Sequence, residues 1–186
     1  MIITEAMNTL QLSAIMAKFS KNSHFLGVLA CDQLPRNPLQ RLPVSVIINT
    51  HTSDLAGEHW LAVYITDASS GCFFDSFGNK PNSPLFPTGI YTFLKTNCST
   101  IQFSNRQVQD YAAITCGEHC VFFIYNMLNG LNYIDVMSKY SHDLLRNDNM
   151  VSTFVKKLQP CKCSSNMLCC IQHVQDGAKF SNQIKQ

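Results

Sequence analysis

The feature that most constrains this chain is the segment at residues 116–129, CGEHCVFFIYNMLN, which is apolar on nearly every face of a helix and stops before Gly130. A helix that is apolar all round must be covered all round, and glycine commonly ends helices. The pattern predicts a central helix buried inside one folded unit. The chain has 186 residues, 46% of them hydrophobic, so it can bury such a core, and we expect a single domain over residues 1–186.

Three segments ahead of this helix predict strands. Residues 44–48 are a compact β-branched run, residues 59–66 (HWLAVYIT) are aromatic and β-branched, and residues 71–74 (GCFF) follow a polar turn. A short turn of this kind predicts an antiparallel hairpin. Folding the chain there would bring His59 and Asp75 to comparable heights.

The remaining segments predict helices around that sheet. They are a short opening helix within residues 4–19, an irregular segment at 25–35, a proline-rich loop at 78–89, a helix at 90–97, a strand at 100–103, and helices at 133–145 and 150–158. Residues 162–186 show no clear pattern. The fold class that follows is α+β, with a small, mostly antiparallel sheet packed against helices and the central helix running through the core.

Charge and cysteine usage narrow the setting of the protein. Lys and Arg total 14 against 12 Asp and Glu, so a net charge of +2 neither requires nor excludes a polyanionic partner. No apolar run is long enough for a membrane helix, and the amino terminus lacks a signal-peptide pattern, which predicts a protein that is neither secreted nor membrane-bound. Nine cysteines, an odd number, favour a reducing compartment, cytoplasm or nucleus, with mostly free thiols. We expect a monomer.

The start of the buried helix carries a candidate nucleophile. At Cys116 the unpaired amides and the positive end of the helix dipole would favour a thiolate over a thiol. A thiolate nucleophile needs an imidazole partner and a carboxylate that orients it, and the predicted hairpin offers His59 and Asp75. Gln109 lies seven residues before Cys116 and could offer its side-chain amide to an oxyanion, beside the backbone amide of Cys116.

Each of these residues also has a purely structural interpretation. Cys116 could be a small buried hydrophobe, His59 a hydrogen-bonded strand residue, Asp75 a turn cap and Gln109 a solvated loop amide. His119 and Cys120 lie close to Cys116 in sequence, but neighbouring residues on a helix face different ways, so we expect His119 to have a packing role and not to be the base. The cysteines within residues 161–170 lack the usual spacing of a zinc site, so we predict no metal.

Four ordered segments carry a family resemblance over residues 25–120. They are HFLGVLACDQLP with SVIINT, GEHWLAVYI, FFDSFG, and QVQDYAAITCGEHC. Together they resemble the adenovirus protease group and, more distantly, the ubiquitin-like-protein proteases. The resemblance implies the same roles as the residue chemistry: Cys116 as nucleophile, His59 as general base and acid, Asp75 as orienting carboxylate and Gln109 in the oxyanion hole.

The resemblance also implies substrates and partners. Members cut at Gly-containing sites after a hydrophobic residue, typically in capsid precursors, which would place this chain in a host nucleus and a virion. Trp60 and Gly117 are then expected to contact substrate. A viral peptide that activates the enzyme through a disulfide would use Cys98, and DNA would be a second activator, although the charge balance predicts weak binding to nucleic acid.

Two other functions stay open on the sequence. A protease that removes a ubiquitin-like modifier would use the same four residues. A module that keeps the fold only to bind a peptide would not need them, so the intact set of Cys116, His59, Asp75 and Gln109 favours an enzyme.

Overall fold

The computed structural model describes residues 5–18 and 24–159, within which one five-stranded sheet organises the chain. The strands are β1 (His24–Ala30), β2 (Val44–Asn49), β3 (Trp60–Ile65), β4 (Ser70–Phe74) and β5 (Thr100–Gln102). They lie in sequence order across the sheet. The central pairs, β2 with β3 and β3 with β4, are antiparallel, whereas β1 and β5 pair in parallel at the edges. The predicted hairpin is therefore confirmed at the centre of the sheet.

Within the described residues, five helices cover the two faces of this sheet. They are α1 (Thr9–Met16), α2 (Thr88–Asn97), α3 (Cys116–Leu128), α4 (Tyr133–Ser138) and α5 (Leu144–Leu158), together with a 3₁₀ turn at Cys31–Gln33. Within the residues that the structure describes, no helix combines the length and the apolar character that crossing a bilayer requires. The α+β class and the central helix are confirmed.

Alternation along β3 explains how the sheet separates two apolar layers. Leu61, Val63 and Ile65 point to the side of α2, while Trp60 and Ala62 point to the side of α3. Successive strand residues face opposite sides, so a strand with apolar residues at every position must be covered twice. The sheet is consequently the middle layer of three.

The helix α3 is the centre of the larger layer. Ten of its thirteen residues are buried, and it packs against β3, α1, α4 and α5. Phe123 is fully buried and stacks on Phe74 of β4, with ring centroids 4.8 Å apart. The helix ends before Gly130, which has a φ of 86° as a glycine after a helix typically does. The packing of α3 on β3 and β4 holds the helix against the hairpin.

The prediction of an irregular segment at residues 25–35 is wrong for its first half. Residues 24–30 form β1, which pairs in parallel with β2. The register shifts between Phe25 and Gly27, and Gly27 has a φ of 131°. An irregularity of this kind breaks the period-two pattern by which a strand is recognised, so the strand was hidden in the sequence.

The predicted helix at residues 133–145 is divided in the structure. The helix α4 ends at Ser138, and α5 begins at Leu144, ahead of the predicted start at residue 150. Asp143 caps α5 by accepting a hydrogen bond from the amide of Arg146 at 3.0 Å, and Ser141 donates its hydroxyl to the carbonyl of Asp143. Polar side chains that bond to nearby backbone favour caps and turns over a continuous helix.

Candidate active site

The imidazole of His59 interacts with two other residues that the sequence predicts to be catalytic, Asp75 and Cys116. His59 lies immediately before β3, and Asp75 immediately follows β4, so the hairpin places them side by side. The Nε2 atom of His59 lies 2.6 Å from Oδ1 of Asp75. The side chain of Cys116 interacts with the same imidazole and contributes to the raised pKa of His59. Because Asp75 occupies Nε2, Nδ1 is the ring nitrogen that remains for the sulfur.

The surroundings of His59 favour its charged form. Burial lowers the pKa of the imidazole, but the hydrogen bonds to Asp75 and Cys116 and the charges of those groups raise it overall to about 9. For the Asp75 carboxyl, burial raises the pKa, but the hydrogen bonds from His59 and from nearby backbone amides outweigh burial and lower the pKa overall. An imidazolium between a carboxylate and a sulfur atom is the arrangement that stabilises a thiolate.

The carboxylate of Asp75 is held by donors that the sequence did not single out. Its Oδ2 atom accepts from the backbone amide of Asn79 at 2.9 Å and from the side-chain amide of Asn79 at 2.8 Å. Its Oδ1 atom accepts from the amide of Phe77 at 3.2 Å in addition to His59. The only sequence signal for this role is the position of Asn79 four residues after Asp75, at the end of the turn.

Gly78 allows that turn to close. Its φ is 76°, and a Cβ atom there would lie 2.8 Å from the backbone of Arg106 and 2.9 Å from that of Asn105. Only glycine combines a left-handed backbone with so close an approach of another chain segment. The turn that carries Asp75 and Asn79 therefore depends on this position.

Replacing Gly78 by alanine is expected to lower the free energy of unfolding by about 2 kcal/mol or more, because backbone strain and a backbone clash add together. Gly130→Ala is the matched control. Gly130 has a φ of 86° but no atom within 4 Å of its Cβ position, so only the strain of about 1 kcal/mol applies. Urea unfolding of both variants measures the difference, and equal losses would contradict the packing described for Gly78.

The side chain of Gln109 is oriented by two buried contacts. Its Nε2 atom donates to the carbonyl of Ala113 at 2.8 Å, and its Oε1 atom accepts from the hydroxyl of Ser76 at 2.6 Å. A carbonyl oxygen only accepts, so the amide nitrogen must be the atom that faces Ala113. Ser76 is fully buried, and its carbonyl accepts from the amides of Val108 and Gln109. These contacts tie Gln109 to the residue that follows Asp75.

Cys116 is the first residue of α3 and faces a cleft of about 380 Å³. Trp60 forms part of the wall and donates its Nε1 proton to the carbonyl of Met7 at 2.9 Å. Gly117 is buried, and a Cβ atom there would lie 3.2 Å from Met7 and 3.4 Å from Trp60. The small size of Gly117 thus fits close packing beneath the cleft, and a contact of Gly117 with substrate stays a prediction.

The cleft is also lined by a His–Glu pair. The Nε2 atom of His51 lies 2.9 Å from Oε2 of Glu58, and both side chains are partly exposed. Leu55, which is 56% exposed, lies between them in sequence and also lines the cleft. An open groove lined both by polar side chains and by Trp60 suits an extended peptide chain more than a small ligand.

The other described cysteines differ from Cys116 in their surroundings. Burial raises the pKa of the thiols of Cys31, Cys72, Cys98 and Cys120, to about 11 for Cys72. Cys98 is 2% exposed and donates its thiol proton to the carbonyl of Leu94. A disulfide between Cys98 and an incoming peptide would therefore require local opening, and this activation stays a prediction.

No group of three His, Cys, Asp or Glu side chains in residues 5–18 and 24–159 is arranged to hold a metal ion. The cysteines at residues 161–170, for which the sequence predicts no metal, lie outside the described residues.

Comparison with known proteins identifies the relatives of this chain. The family of the adenovirus endoprotease matches residues 25–145. A protease of Ovine adenovirus D serotype 7 is 27% identical, over 62% of this chain and 62% of its own length. The chain thus matches about three fifths of that relative. The selenomethionine crystal structure of an ASFV protease has a TM-score of 0.49 and 17% identity, covering 78% of this chain and 66% of that one.

Proposed function

Because this chain belongs to the adenovirus endoprotease family, we propose that it is a cysteine-type endopeptidase with Cys116 as its nucleophile. The observation that carries the proposal is a single imidazole, that of His59, which is hydrogen-bonded to Asp75 and interacts electrostatically with Cys116. A peptide-binding module would have no use for this arrangement. The raised pKa of His59, about 9, suits the proton donor of an ion pair.

In the first half of the reaction, the thiolate of Cys116 attacks the carbonyl carbon of the scissile bond. The carbonyl π bond becomes a lone pair on oxygen, which gives a tetrahedral oxyanion. His59 then delivers its Nδ1 proton to the leaving nitrogen as the carbon–nitrogen bond breaks. The amine leaves, and the acyl group remains on the sulfur as a thioester.

The oxyanion needs donors that are fixed before the reaction begins. Gln109 has two amide protons, of which one bonds to Ala113, so the second is available to the oxyanion. The amide of Cys116 is the other donor, because the first amides of a helix have no partner within it. A loss of one such donor typically costs 10²- to 10³-fold in turnover, on the order of 3–4 kcal/mol.

In the second half, His59 is neutral and accepts a proton from water. The resulting hydroxide attacks the thioester, the tetrahedral intermediate collapses, and the sulfur leaves as a thiolate. The proton taken by His59 restores the ion pair with Cys116. Asp75 holds the imidazole in one orientation through both halves and does not itself change protonation state.

The substrates we propose are proteins cut at Gly-containing sites, with viral capsid precursors as the natural targets, so that the enzyme works in infected cells and in virions. The cleft supports an extended peptide whose backbone passes close to Trp60. Close to such a wall, residues without side chains fit best. The resemblance to the adenovirus proteases is the reason for proposing Gly-containing cleavage sites, and the open groove beside Cys116 has room for such a peptide.

Incubation with paired peptides tests the proposal. One peptide carries a hydrophobic residue two positions ahead of Gly-Gly, the matched peptide has alanine in place of both glycines, and mass spectrometry locates the cut sites. We expect cleavage of the first peptide, little of the second, and none with Cys116→Ala. Cleavage confined to conjugates of a ubiquitin-like modifier would show a deconjugating protease instead, and no cleavage of either substrate would favour a binding module.

A further inference from the structure

The carboxylate of Asp148 on α5 contacts both ends of the loop that separates Gln109 from Cys116. Its Oδ2 atom accepts from the backbone amide of Asp110 at 3.0 Å. Its Oδ1 atom accepts from the hydroxyl of Thr115 at 2.5 Å. Asp110 is the residue after Gln109, and Thr115 is the residue before Cys116. One side chain thus spans the interval between the oxyanion donor and the nucleophile.

A third donor to Asp148 comes from inside α3. Nε2 of His119 lies 3.0 Å from Oδ1 of Asp148, and Nδ1 lies 3.3 Å from the hydroxyl of Tyr140. Burial lowers the pKa of His119 despite its carboxylate partner, so the ring is neutral. A neutral ring that donates from Nε2 accepts at Nδ1, and the Tyr140 hydroxyl therefore donates to it. His119, for which the sequence predicts packing, is a fully buried hydrogen-bonding link.

The charge of Asp148 is stabilised by this arrangement. Burial raises the pKa of its carboxyl, and the hydrogen bonds from His119, Thr115 and Asp110 lower it overall. Three donors therefore converge on one ionised, almost fully buried group. A carboxylate can accept all three bonds, whereas a carboxamide has only one accepting oxygen.

The neighbouring residue of α5 holds the other side of Gln109. Asn147 is 1% exposed, and its Nδ2 atom donates to the carbonyl of Val108 at 3.0 Å. Asn147 and Asp148 thus contact the residues on both sides of Gln109. Helix α5 begins at Leu144, so most of it follows residues 25–145, which match the family, and its side chains hold the oxyanion loop from both sides of Gln109.

We propose that Asp148 is a positioning residue for catalysis, which fixes the Gln109 amide relative to the Cys116 sulfur by holding both ends of the 110–115 loop. This inference rests on the proposed protease function. Asp148 touches neither substrate nor sulfur, and it acts through Asp110, Thr115 and His119. A misplacement of about 1 Å at a reacting group can cost about 10²-fold in turnover, which sets the scale of the expected effect.

Kinetics of Asp148→Asn test the inference. We expect kcat to fall about 10- to 100-fold with KM changed less than about threefold, because the amide cannot accept all three bonds and the loop affects the transition state more than substrate binding. Asp143→Asn is the matched control on the same helix, with the same change of charge and a side chain that still caps the helix. A comparable fall of kcat in both variants would overturn the proposal.

A second variant separates positioning from overall destabilisation. Thr115→Val removes one donor and leaves the charge of Asp148, and the Thr115 side chain makes no capping bond to α3 that would be lost. We expect a smaller fall in kcat than for Asp148→Asn, and a double variant whose loss is less than the product of the two, because both act through one contact. Fully multiplicative losses would overturn the proposal.

Amide hydrogen exchange distinguishes a failure of this inference from a failure of the proposed function. In Asp148→Asn, residues 110–115 are expected to exchange faster than in the wild type or in Asp143→Asn, whether or not the wild type cleaves any peptide. Unchanged protection of this loop would overturn the inference. An inactive wild type in which Asp148→Asn still loosens the loop would overturn the protease function and leave the contact in place.

Discussion

Cys116→Ala is expected to reduce peptide turnover by about 10⁶-fold, the scale on which loss of a nucleophile acts in other covalent proteases. The sulfur is the atom that forms the acyl bond, and a methyl group cannot replace it. The fold should persist, because the change removes only a sulfur atom from a small residue at the first position of α3. Initial rates on the Gly-Gly peptide, with thermal unfolding measured in parallel, check this prediction.

Cys120→Ala is the control for that variant. Cys120 is on the same helix and fully buried, and its thiol has a strongly raised pKa, so it should be chemically inert. We expect Cys120→Ala to keep turnover within a few-fold of the wild type while losing some stability to a small cavity. A Cys116→Ala protein that keeps substantial turnover would remove Cys116 from the mechanism.

Loss of the His59 imidazole is expected to lower turnover nearly as much as loss of the sulfur, because His59 is the proposed proton donor to the leaving amine. His59→Gln is the preferred variant. Its side-chain amide can still donate to Asp75, so the buried carboxylate is not left without a partner. Substantial activity in His59→Gln with an intact fold would refute the assignment of the general acid.

The pH dependence of the wild type gives a second readout for His59. Its pKa in the folded protein is raised to about 9, from an ordinary value of 6.5. Turnover should therefore fall as pH rises through about 9, where the imidazolium is lost. The same shift stabilises the fold fully below pH 6.5, and this contribution disappears as pH rises through about 9. The stability difference between wild type and His59→Gln should shrink over that interval.

The elements that carry His59, Asp75 and Cys116 could be predicted from sequence because they are strongly patterned. The hairpin that aligns His59 with Asp75 has a clear turn, and the helix that presents Cys116 is apolar on nearly every face. The hairpin accounts for the approach of His59 to Asp75, and the family resemblance adds Cys116 to them. The interval between Gln109 and Cys116 suggests Gln109 as an oxyanion donor, which stays a prediction, whereas its orienting partner Ser76 has no sequence signal.

The supporting residues could not be predicted because their contacts join distant parts of the chain. Ser76 and Gln109 are 33 residues apart, and Asp148 and Asp110 are 38 apart. No local period relates such residues. The predicted start of α5, at residue 150, is also wrong. The predicted helix at 133–145 runs across Asp143, which in fact caps α5, so Asp148 falls between the two predicted helices.

Strand β1 was also missed in the sequence, because its pairing joins distant segments. Residues 24–30 form an edge strand that pairs in parallel, and Gly27 with its shifted register interrupts the alternation of side chains. Parallel pairing joins segments that a simple turn cannot connect, so no hairpin signal marks it. The sequence therefore predicts the antiparallel centre of the sheet better than its edges.

The rate at which iodoacetamide alkylates Cys116, followed by mass spectrometry between pH 5.5 and 8, tests the paired thiol and imidazole most directly. An ordinary thiol gains about tenfold in rate per pH unit over this range, because its thiolate fraction does. The ion pair with His59 predicts a fast rate at Cys116 that changes little with pH, and a return to the ordinary slope in His59→Gln. A slow, steeply rising rate at Cys116 in the wild type would contradict the account.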